Sequence, residues 1–423
     1  MITTSLLLAA LAALAPGDTL SPEARRVLAD LRYLADDARQ GRGLGTRGLE
    51  EAGAYIAAQF ERLGLRPGAA NGTWFQDFTV SPDAPAVAHL GLPATATRNI
   101  VAVLPGRSPA LSGQVVIIGA HYDHLGLGGP NALDPDSTGA VHNGADDNGS
   151  GTVALLEIAR RLAAARPART IVFVAFSGEE LGVLGSAYYA KNPTPFPMDS
   201  VYAMVNLDMV GRLREGKLLA LGAETASELR ALLDSLNGGP TASNGARRFD
   251  LRASGDGWGP SDHASFYAAK RPVVHFFTDL HEDYHRATDD WDKINVEGIV
   301  QVAAFAADLG LALADRAGTL TFVDVPRPQL ASGRTSASLG TIPDMSESPG
   351  GVRLTGVRTG GPGDLAGIRA GDIIVGIGTH TVANLYDMTN ALNAHQPGDT
   401  VVVTVRRGTE EIKVTAVLGR RGS

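Results

Sequence analysis

Four short apolar runs lie in the first two thirds of this chain, and each is followed by histidine or carboxylate side chains. The runs are Gln114–Ala120, Thr170–Phe176, Val201–Leu207 and Val273–Phe277. Runs of this length that are rich in Val, Ile and Phe are typical of buried strands in a largely parallel sheet. The charged residues that follow them are His121, Asp123, Glu179, Glu180, Asp208 and His285. Open α/β sheets gather their ligands beyond the carboxyl ends of the strands, so the pattern predicts that these side chains lie together at one edge.

Amphipathic helical patterns alternate with these strands. The helical segments are Ser21–Gln40, Leu49–Leu65, Gly149–Ala165 and Asn295–Ala314. Asn99–Leu104 is a further strand, and its Pro/Gly/Ser connection to Gln114–Ala120 predicts a hairpin. The alternation predicts the fold class α/β, with three layers around a mixed, largely parallel sheet.

The chain has 423 residues, which is too many for one ordinary core, so two domains are expected. Val323–Thr335 is rich in Pro, Ser and Gly and predicts a linker that few core contacts cross. We therefore assign residues 21–320 to a first domain, 321–335 to the linker and 336–423 to a small β-rich domain.

Residues 1–20 predict a signal peptide, and with it export to the periplasm or the extracellular space. Ile2–Ala15 is apolar and ends in Ala13-Leu14-Ala15, small residues that are typical of a cleavage site. The run is too short for a stable transmembrane helix, which needs about 20 residues.

Composition narrows the chemistry. The formal net charge is -8 and no basic stripe is present, which argues against a nucleic-acid partner. The chain has no cysteine, which excludes disulfides and thiolate zinc sites. Any bound metal must therefore be held by histidine and carboxylate side chains.

The spacing of the polar residues favours a metal site over isolated surface groups. His121 and Asp123 are two apart at a strand end, so the carboxylate can accept the second N–H of a ligating imidazole. Asp146 and the aspartate after it share a glycine-rich turn, where adjacent carboxylates repel each other unless a cation compensates. Glu179 and Glu180 leave the chain in different directions, so one can bind a metal while the other acts as general base. The predicted ligands of a bridged two-zinc site are His121, Asp146, Glu180, Asp208 and His285.

The segment His281–His285 also matches H-E-x-x-H, the zincin signature. That motif functions on a helix, where both histidines share one face. Here a β-branched strand precedes the segment and no apolar helical stripe follows it, so the context argues against a zincin.

Six motifs give the chain a close resemblance to the M28 metallopeptidases, the leucyl aminopeptidase-like di-zinc exopeptidases. They are HYDH (121–124), GADDNGSG (144–151), FSGEELGVLGS (176–186), NLDMVG (206–211), SDHASF (261–266) and DYHRATDDWDKIN (283–295). The resemblance spans roughly residues 25–315, in order, and implies a zinc-exopeptidase fold with two zinc ions per chain.

The resemblance also assigns roles to individual residues. It implies that His121 and Asp208 bind one zinc and that Glu180 and His285 bind the other. Asp146 then corresponds to the bridging carboxylate, with a cis peptide bond to the next residue. Glu179 corresponds to the general base and Asp123 to the partner of His121.

The C-terminal region is similar to PDZ domains of the bacterial, protease-associated kind. In this comparison the glycine-containing turn Leu339-Gly340-Thr341 corresponds to the carboxylate-binding loop. Its backbone N–H groups could receive the C-terminus of a protein or peptide that adds as a strand. The alternative is a small β-domain that only stabilises the enzyme.

These features together predict a zinc-dependent aminopeptidase that acts on peptide substrates. A carboxypeptidase or dipeptidase of the same family is the nearest alternative, because the metal ligands do not distinguish them. A glutaminyl-cyclase-like acyltransferase would use one zinc on a related scaffold. A PDZ adaptor with an inactive hydrolase domain is the third alternative, and the intact Glu179 argues against it.

Overall fold

The structure is a computed structural model. It describes residues 20–420 apart from 85–86, 89–91, 130, 138, 239–246, 328–336, 347 and 349. The predicted signal peptide therefore lies almost wholly outside the described residues, and export stays a prediction. Most of the predicted linker lies outside them as well.

One large mixed sheet forms the centre of the first unit, which is the part of the chain before the predicted linker. Its strands are β1 (Arg66–Pro67), β2 (Phe75–Val80), β3 (Thr95–Leu104), β4 (Val115–His121), β5 (Thr170–Phe176), β6 (Val201–Leu207), β7 (Lys217–Leu221), β8 (Asp250–Ser254) and β9 (Val273–Phe277). The spatial order is β1-β3-β5-β4-β6-β9-β7-β8, and β2 pairs with β3. The four central strands β5, β4, β6 and β9 are mutually parallel. They are the four apolar runs of the sequence, so the prediction of buried parallel strands is confirmed.

The expected hairpin between Asn99–Leu104 and Gln114–Ala120 is wrong. Strand β3 pairs antiparallel with β5, which lies between β3 and β4. The connection, residues 105–114, is longer than a usual hairpin loop, and both strands are apolar enough to be buried, so local turn chemistry did not decide their neighbours.

Helices cover both faces of this sheet and bury its apolar side chains. They are α1 (Pro22–Leu34), α2 (Arg47–Arg62), α3 (Gly151–Ala165), α4 (Leu184–Lys191), α5 (Leu229–Asn237), α6 (His263–Ala268) and α7 (Val296–Asp315). Ser21 caps α1 by accepting the N–H of Ala24, and Asn295 caps α7 by accepting that of Gly298. The first helix ends at Leu34, earlier than expected from sequence, and a tight turn with left-handed backbone follows it.

Helix α7 is the one described helix that is long and apolar enough to cross a membrane. It packs against α3, α1 and α5, and most of its apolar window is buried inside the first unit. These contacts make it a core helix of this fold.

The C-terminal unit is a small β-rich domain with its own apolar core. Its strands are β10 (Ala337–Ser338), β11 (Thr341–Pro343), β12 (Val352–Val357), β13 (Ile373–Ile377), β14 (His380–Thr381), β15 (Thr400–Arg407), β16 (Glu410–Val417) and β17 (Gly419–Arg420). Its helices are α8 (Pro362–Leu365) and α9 (Leu385–Asn393). Strand β11 lies at the end of the sheet β11-β12-β13-β15-β16, while β10 pairs with β17. Leu339, Ile374 and Val403 are among its fully buried residues.

Candidate metal centre

A cluster of imidazole and carboxylate groups lies at the carboxyl ends of the central parallel strands, as the sequence predicts. The first part of it consists of His121, Asp147 and Asp208, whose ligand atoms lie within 4.8 Å of one another. His121 Nε2 is 3.3 Å from Asp208 Oδ1 and 3.4 Å from Asp147 Oδ1. Asp208 Oδ2 accepts a hydrogen bond of 2.8 Å from Ser261 Oγ, which holds the carboxylate in place.

The second part shares Asp147 with the first. His285 Nε2 lies 3.2 Å from Asp147 Oδ2 and 3.1 Å from Glu180 Oε2. His285 Nδ1 donates to the backbone oxygen of Asn131 at 2.8 Å, which leaves Nε2 free to bind a metal. Asp147 therefore presents one carboxylate oxygen to each part, which is the geometry of a bridging ligand.

The bridging role expected of Asp146 is not what the structure shows. The Asp146 carboxylate turns away from the cluster: Oδ1 accepts the N–H of Gly211 at 2.7 Å, and Oδ2 lies 3.0 Å from His281 Nε2. Asp147 occupies the bridging position instead. The cis peptide bond likewise lies one residue later than expected, between Asp147 and Asn148. Adjacent residues point in different directions, and the sequence alone did not determine which aspartate faces the cluster.

His124 is a further member of the cluster that the sequence analysis missed. Its Nδ1 lies 2.6 Å from Glu180 Oε1, and its Nε2 is buried without a hydrogen-bond partner. His124, Asp147 and Glu180 also have ligand atoms within 4.8 Å of one another. The signal was present in the motif HYDH, whose second histidine follows the predicted site directly.

Glu179 lies at the edge of the cluster, near His121. Its Oε2 is 3.9 Å from His121 Nε2. Burial raises the pKa of Glu179 well above its ordinary value; His121 opposes the shift, while the nearby carboxylate of Asp208 adds to it. A cation bound among these carboxylates would offset part of this shift, and a carboxylate whose proton affinity is raised by its surroundings suits the predicted proton transfer.

Asp123 lies beside His121, but its carboxylate mainly contacts the backbone of Glu179 and Glu180. The closest group to His121 Nδ1 is the backbone oxygen of Asp123 at 3.2 Å, while its Oδ1 is 3.7 Å away. The carboxylate accepts the backbone N–H groups of Glu179 and Glu180 at 3.2 and 3.4 Å. Asp123 thus orients the imidazole and also positions the two glutamates.

The electrostatics of the cluster favour a bound cation. Burial opposes charging of His121 and His285, yet surrounding carboxylates raise the pKa of both well above the ordinary value. Burial and Asp147 act to raise the pKa of Glu180, but His285 and His124 bring it down to about 2. The carboxylates outnumber the imidazoles among the members of the cluster, which are His121, Asp123, His124, Asp147, Glu179, Glu180, Asp208 and His285. Buried negative charge of this density needs compensation by cations.

The donor set fits zinc. Imidazole nitrogens and carboxylate oxygens are common zinc ligands, and the partnerless Nε2 of His124 shows that the cluster's polar groups are not satisfied among themselves. His121, Asp147 and Asp208 would hold one ion, and Asp147, Glu180 and His285 a second.

Arg42 is the other residue that the sequence analysis missed. It is fully buried, and its guanidinium donates to the backbone oxygens of Tyr122 (2.8 Å), Asn143 (2.7 Å), Gly144 (2.8 Å) and Leu34 (2.7 Å). Its own oxygen accepts the N–H of His124. Arg42 therefore joins the segment that directly follows His121 to the turn that carries Asp147. Nothing in a single sequence distinguishes such an arginine from a solvated one.

The zincin alternative is excluded by the geometry of His281–His285. The segment forms turns rather than a helix. Its two histidines contact different groups: His281 faces Asp146, while His285 faces Asp147 and Glu180.

The residues of the predicted PDZ loop lie at the start of the C-terminal unit. Leu339 is buried, and its oxygen accepts the N–H of Gly363 at 2.7 Å. Gly340 has a φ of 66°, and its N–H donates to Ser338 Oγ at 3.0 Å. Thr341 begins the end strand β11. The turn is present as predicted, and ligand binding by it stays a prediction.

Two family models match this chain. The model for peptidase family M28 matches residues 99–310, half of the chain, and the model for a PDZ domain matches residues 308–418. The chain therefore belongs to peptidase family M28, and it carries a C-terminal PDZ domain.

Among curated proteins, the chain is similar to leucine aminopeptidase 1 of Trichophyton equinum. The two are 33% identical over 178 residues, which make up 40% of this chain and 44% of that protein. Aminopeptidase YwaD of Bacillus subtilis is 31% identical over 200 residues, or 44% of this chain and 38% of that protein. The chain thus matches less than half of the length of these relatives.

Among solved structures, a Zn-dependent exopeptidase from Parabacteroides distasonis superposes with a TM-score of 0.56 at 20% identity. The match covers 69% of this chain and 98% of that one. At this identity the likeness shows the fold alone, which confirms the predicted zinc-exopeptidase fold class.

Proposed function

We propose that this protein is a zinc-dependent exopeptidase, and specifically an aminopeptidase that hydrolyses N-terminal peptide bonds. The observation that carries the proposal is the position of Asp147, whose two oxygens face two separate sets of ligands while the Glu179 side chain, only 11% exposed, lies beside them. Membership of peptidase family M28 supports the same conclusion.

Two zinc ions, when bound, would polarise the scissile carbonyl and lower the pKa of a water molecule. The protein's own residues do the rest. The ions would be held by the side chains of His121, Asp147, Glu180, Asp208 and His285. Asp123 orients His121 and the backbone of the two glutamates. Glu179 accepts a proton from the attacking water and returns it to the nitrogen of the leaving amine.

The choice of an aminopeptidase over a carboxypeptidase rests on relatives. The curated proteins from Trichophyton equinum and Bacillus subtilis are both named aminopeptidases. The ligand set and the fold are common to both kinds of exopeptidase, so the choice of substrate distinguishes them.

A glutaminyl-cyclase-like activity is the second candidate, and one observation favours it. The glutaminyl cyclase of Porphyromonas gingivalis superposes with a TM-score of 0.52 at 20% identity, over 67% of this chain and 96% of that one. The presence of ligands for two ions, joined by Asp147, favours the peptidase.

Hydrolysis of aminoacyl-nitroanilides, with the zinc content of the protein measured beside it, tests the proposal. We expect release of nitroaniline from substrates with a free α-amine, no release from N-acetylated versions, and about two zinc ions per chain. Cleavage of the blocked substrates, or of C-terminal residues only, would refute the aminopeptidase assignment. One zinc per chain with cyclisation of N-terminal glutamine would favour the cyclase.

We further propose that the PDZ domain binds peptides with a free C-terminus along β11, and that the protein is exported. The left-handed Gly340 and the position of β11 at the sheet end support the first proposal. The apolar run Ile2–Ala15 supports the second. Binding of a labelled C-terminal peptide and of its amidated form, compared by fluorescence anisotropy, tests the first: equal binding of both would contradict it. N-terminal sequencing of secreted protein tests the second, and an intact N-terminus on protein retained in the cytoplasm would contradict it.

A further inference from the structure

The C-terminal unit contacts the first unit at the loop that carries His285. This loop leaves β9 at Thr278. Lys217 Nζ donates to Asp279 Oδ2 at 2.7 Å and to Asp344 Oδ1 at 2.8 Å, and so joins the loop to the C-terminal unit. The backbone N–H of Met345 donates to Asp279 Oδ1 at 3.2 Å. Asp279 is therefore held from both sides, by Lys217 and by the segment that directly follows β11.

Asp279 needs such support because its backbone is left-handed, with a φ of 74°. This conformation is uncommon for residues other than glycine and persists where the surroundings fix it. The carboxylate of Asp279 also accepts the N–H of Leu280 at 2.9 Å, so the same group shapes the turn and receives the contact from Met345.

The side chain of Met345 adds an apolar contact beside two metal ligands. It packs against a cluster whose buried members are Met209, Leu219 and Phe277, and whose half-buried members are Leu221, Leu280 and Tyr284. Met209 directly follows Asp208 in the chain. Tyr284 directly precedes His285 and stacks on its ring, with 3.9 Å between centroids.

The two ligand-bearing loops are tied to each other at the same place. Thr278 Oγ1 donates to the backbone oxygen of Met209 at 2.6 Å. A displacement of the loop at Asp279 would therefore reach Asp208 as well as His285.

The polar contact is an ionic one at neutral pH. Burial opposes charging of Lys217, but the carboxylates of Asp279 and Asp344 raise its pKa above the ordinary value. Burial acts to raise the pKa of Asp344, yet Lys217 and Ser346 bring it below the ordinary value.

We infer that Asp344 and Met345 are positioning residues of the metal centre, which fix the loop from Asp279 to His285. The C-terminal unit is then a structural part of the catalytic site and more than an appended binding module. The inference rests on the proposed metal centre, because it concerns the retention of zinc and the geometry of His285.

Zinc release from the full-length, zinc-loaded protein into excess chelator tests this inference, with kcat and KM for an aminoacyl-nitroanilide measured on the same samples. Groups that hydrogen-bond a metal ligand affect metal affinity or activity by 10- to 100-fold. Asp344 and Met345 act one contact further out, through Asp279 and the residues beside the ligands, so we expect Asp344→Ala and Met345→Ala each to release zinc faster by up to about tenfold. We expect kcat to fall by a similar factor, with a smaller change in KM. Met345→Leu keeps the apolar volume and should stay within about twofold of the native protein.

Tyr386→Phe is the matched control. Tyr386 of the C-terminal unit donates to the backbone oxygen of Trp258 at 2.6 Å, a contact between the same two units that lies outside the loop from Asp279 to His285. It should release zinc at the native rate. The inference is overturned if the alanine variants release zinc within about twofold of the native rate, or if Tyr386→Phe accelerates release as much as they do.

Two further outcomes are separable. If zinc release accelerates but neither native nor variant protein cleaves peptides, the proposed aminopeptidase activity fails and the positioning role stands. If circular dichroism shows that Asp344→Ala does not fold, Asp344→Asn is used in its place, because it removes the same charge and keeps the size of the side chain. Zinc release at the native rate from Asp344→Asn overturns the inference.

Discussion

The ring of His285 is held by the backbone of Asn131, whose oxygen accepts the Nδ1–H at 2.8 Å. The side chain of Asn131 donates in turn to the backbone oxygen of Glu180 at 2.8 Å, so one residue positions two proposed zinc ligands. His124, by contrast, directs Nδ1 toward Glu180 and has no such support on its other nitrogen. On this difference we propose His285 as the zinc ligand and His124 as a partner of Glu180.

We therefore predict different effects of removing the two histidines. His285→Ala should lose one zinc ion per chain on dialysis against a weak chelator. His124→Asn should retain both ions. Its affinity for the ion held by Glu180 and His285 should fall by about tenfold, because His124 contacts the ligand Glu180 and not the ion itself. Mass-spectrometric metal analysis and chelator competition measure both quantities. Loss of a zinc ion from His124→Asn with full retention in His285→Ala would reverse the assignment.

The two adjacent aspartates should also respond differently to substitution. Asp147→Asn should weaken binding of both zinc ions, because its oxygens face both sets of ligands. Asp146→Ala should retain zinc but lower the free energy of unfolding by about 1–3 kcal/mol, because the buried N–H of Gly211 loses its acceptor. Metal analysis beside denaturant titration distinguishes the variants. Equal zinc loss in both would show that the turn, and not the individual carboxylate, determines binding.

The contrast between these aspartates shows where sequence reasoning succeeds and where it stops. The four central strands were predictable because burial on both faces imposes continuous runs of Val, Ile and Phe. The edge at which their polar residues meet followed from the direction of parallel strands. The choice between Asp146 and Asp147 depends on backbone torsions within one glycine-rich turn, and the insertion of β5 between β3 and β4 depends on long-range pairing. Neither has a local sequence signal. Arg42 was missed for the same reason, since its partners are backbone oxygens distant in the chain.

The two adjacent glutamates separate proton transfer from metal binding. Glu179→Gln keeps the shape of the side chain but cannot accept a proton, so kcat should fall by at least about 10²-fold while zinc content stays near the native value. Glu180→Gln should lose zinc, because Glu180 lies 3.1 Å from His285 Nε2 and forms part of the second ligand set. Steady-state kinetics with metal analysis on the same preparations test the pair. Similar zinc loss in both variants would contradict the assigned roles.

Substitution of Arg42 should affect the metal centre from outside it. Arg42→Met leaves the backbone oxygens of Tyr122, Asn143 and Gly144 without their buried donor, and hydrogen bonds to charged groups contribute roughly 1.5–3 kcal/mol each. We expect the free energy of unfolding to fall by about 3 kcal/mol or more, and zinc release to accelerate. Arg42→Lys keeps a donor but not the planar fork, so its effect should be intermediate. Arg47→Met, at an exposed arginine that pairs with Glu51 on a helix surface, is the control and should change little. Native zinc release from a folded Arg42→Met protein would show that Arg42 supports the fold alone.

The C-terminal unit should lose stability in acid through Asp372. This carboxylate accepts two hydrogen bonds from Arg407, at 2.7 and 2.8 Å, and the backbone N–H of Arg369. The contact with Arg407 lowers the pKa of Asp372 below its ordinary value. A group whose pKa is lower in the folded state stabilises that state above its unfolded pKa, which is about 3.9 for Asp, and the contribution disappears as the pH falls through the folded value.

We expect protection factors from amide hydrogen exchange in β13 and β15 to be constant from about pH 7 to pH 5 and to fall below about pH 4. In Asp372→Asn they should be lower near neutral pH and should change less on acidification. Parallel pH profiles in the native protein and in Asp372→Asn would show that another carboxylate governs the acid response.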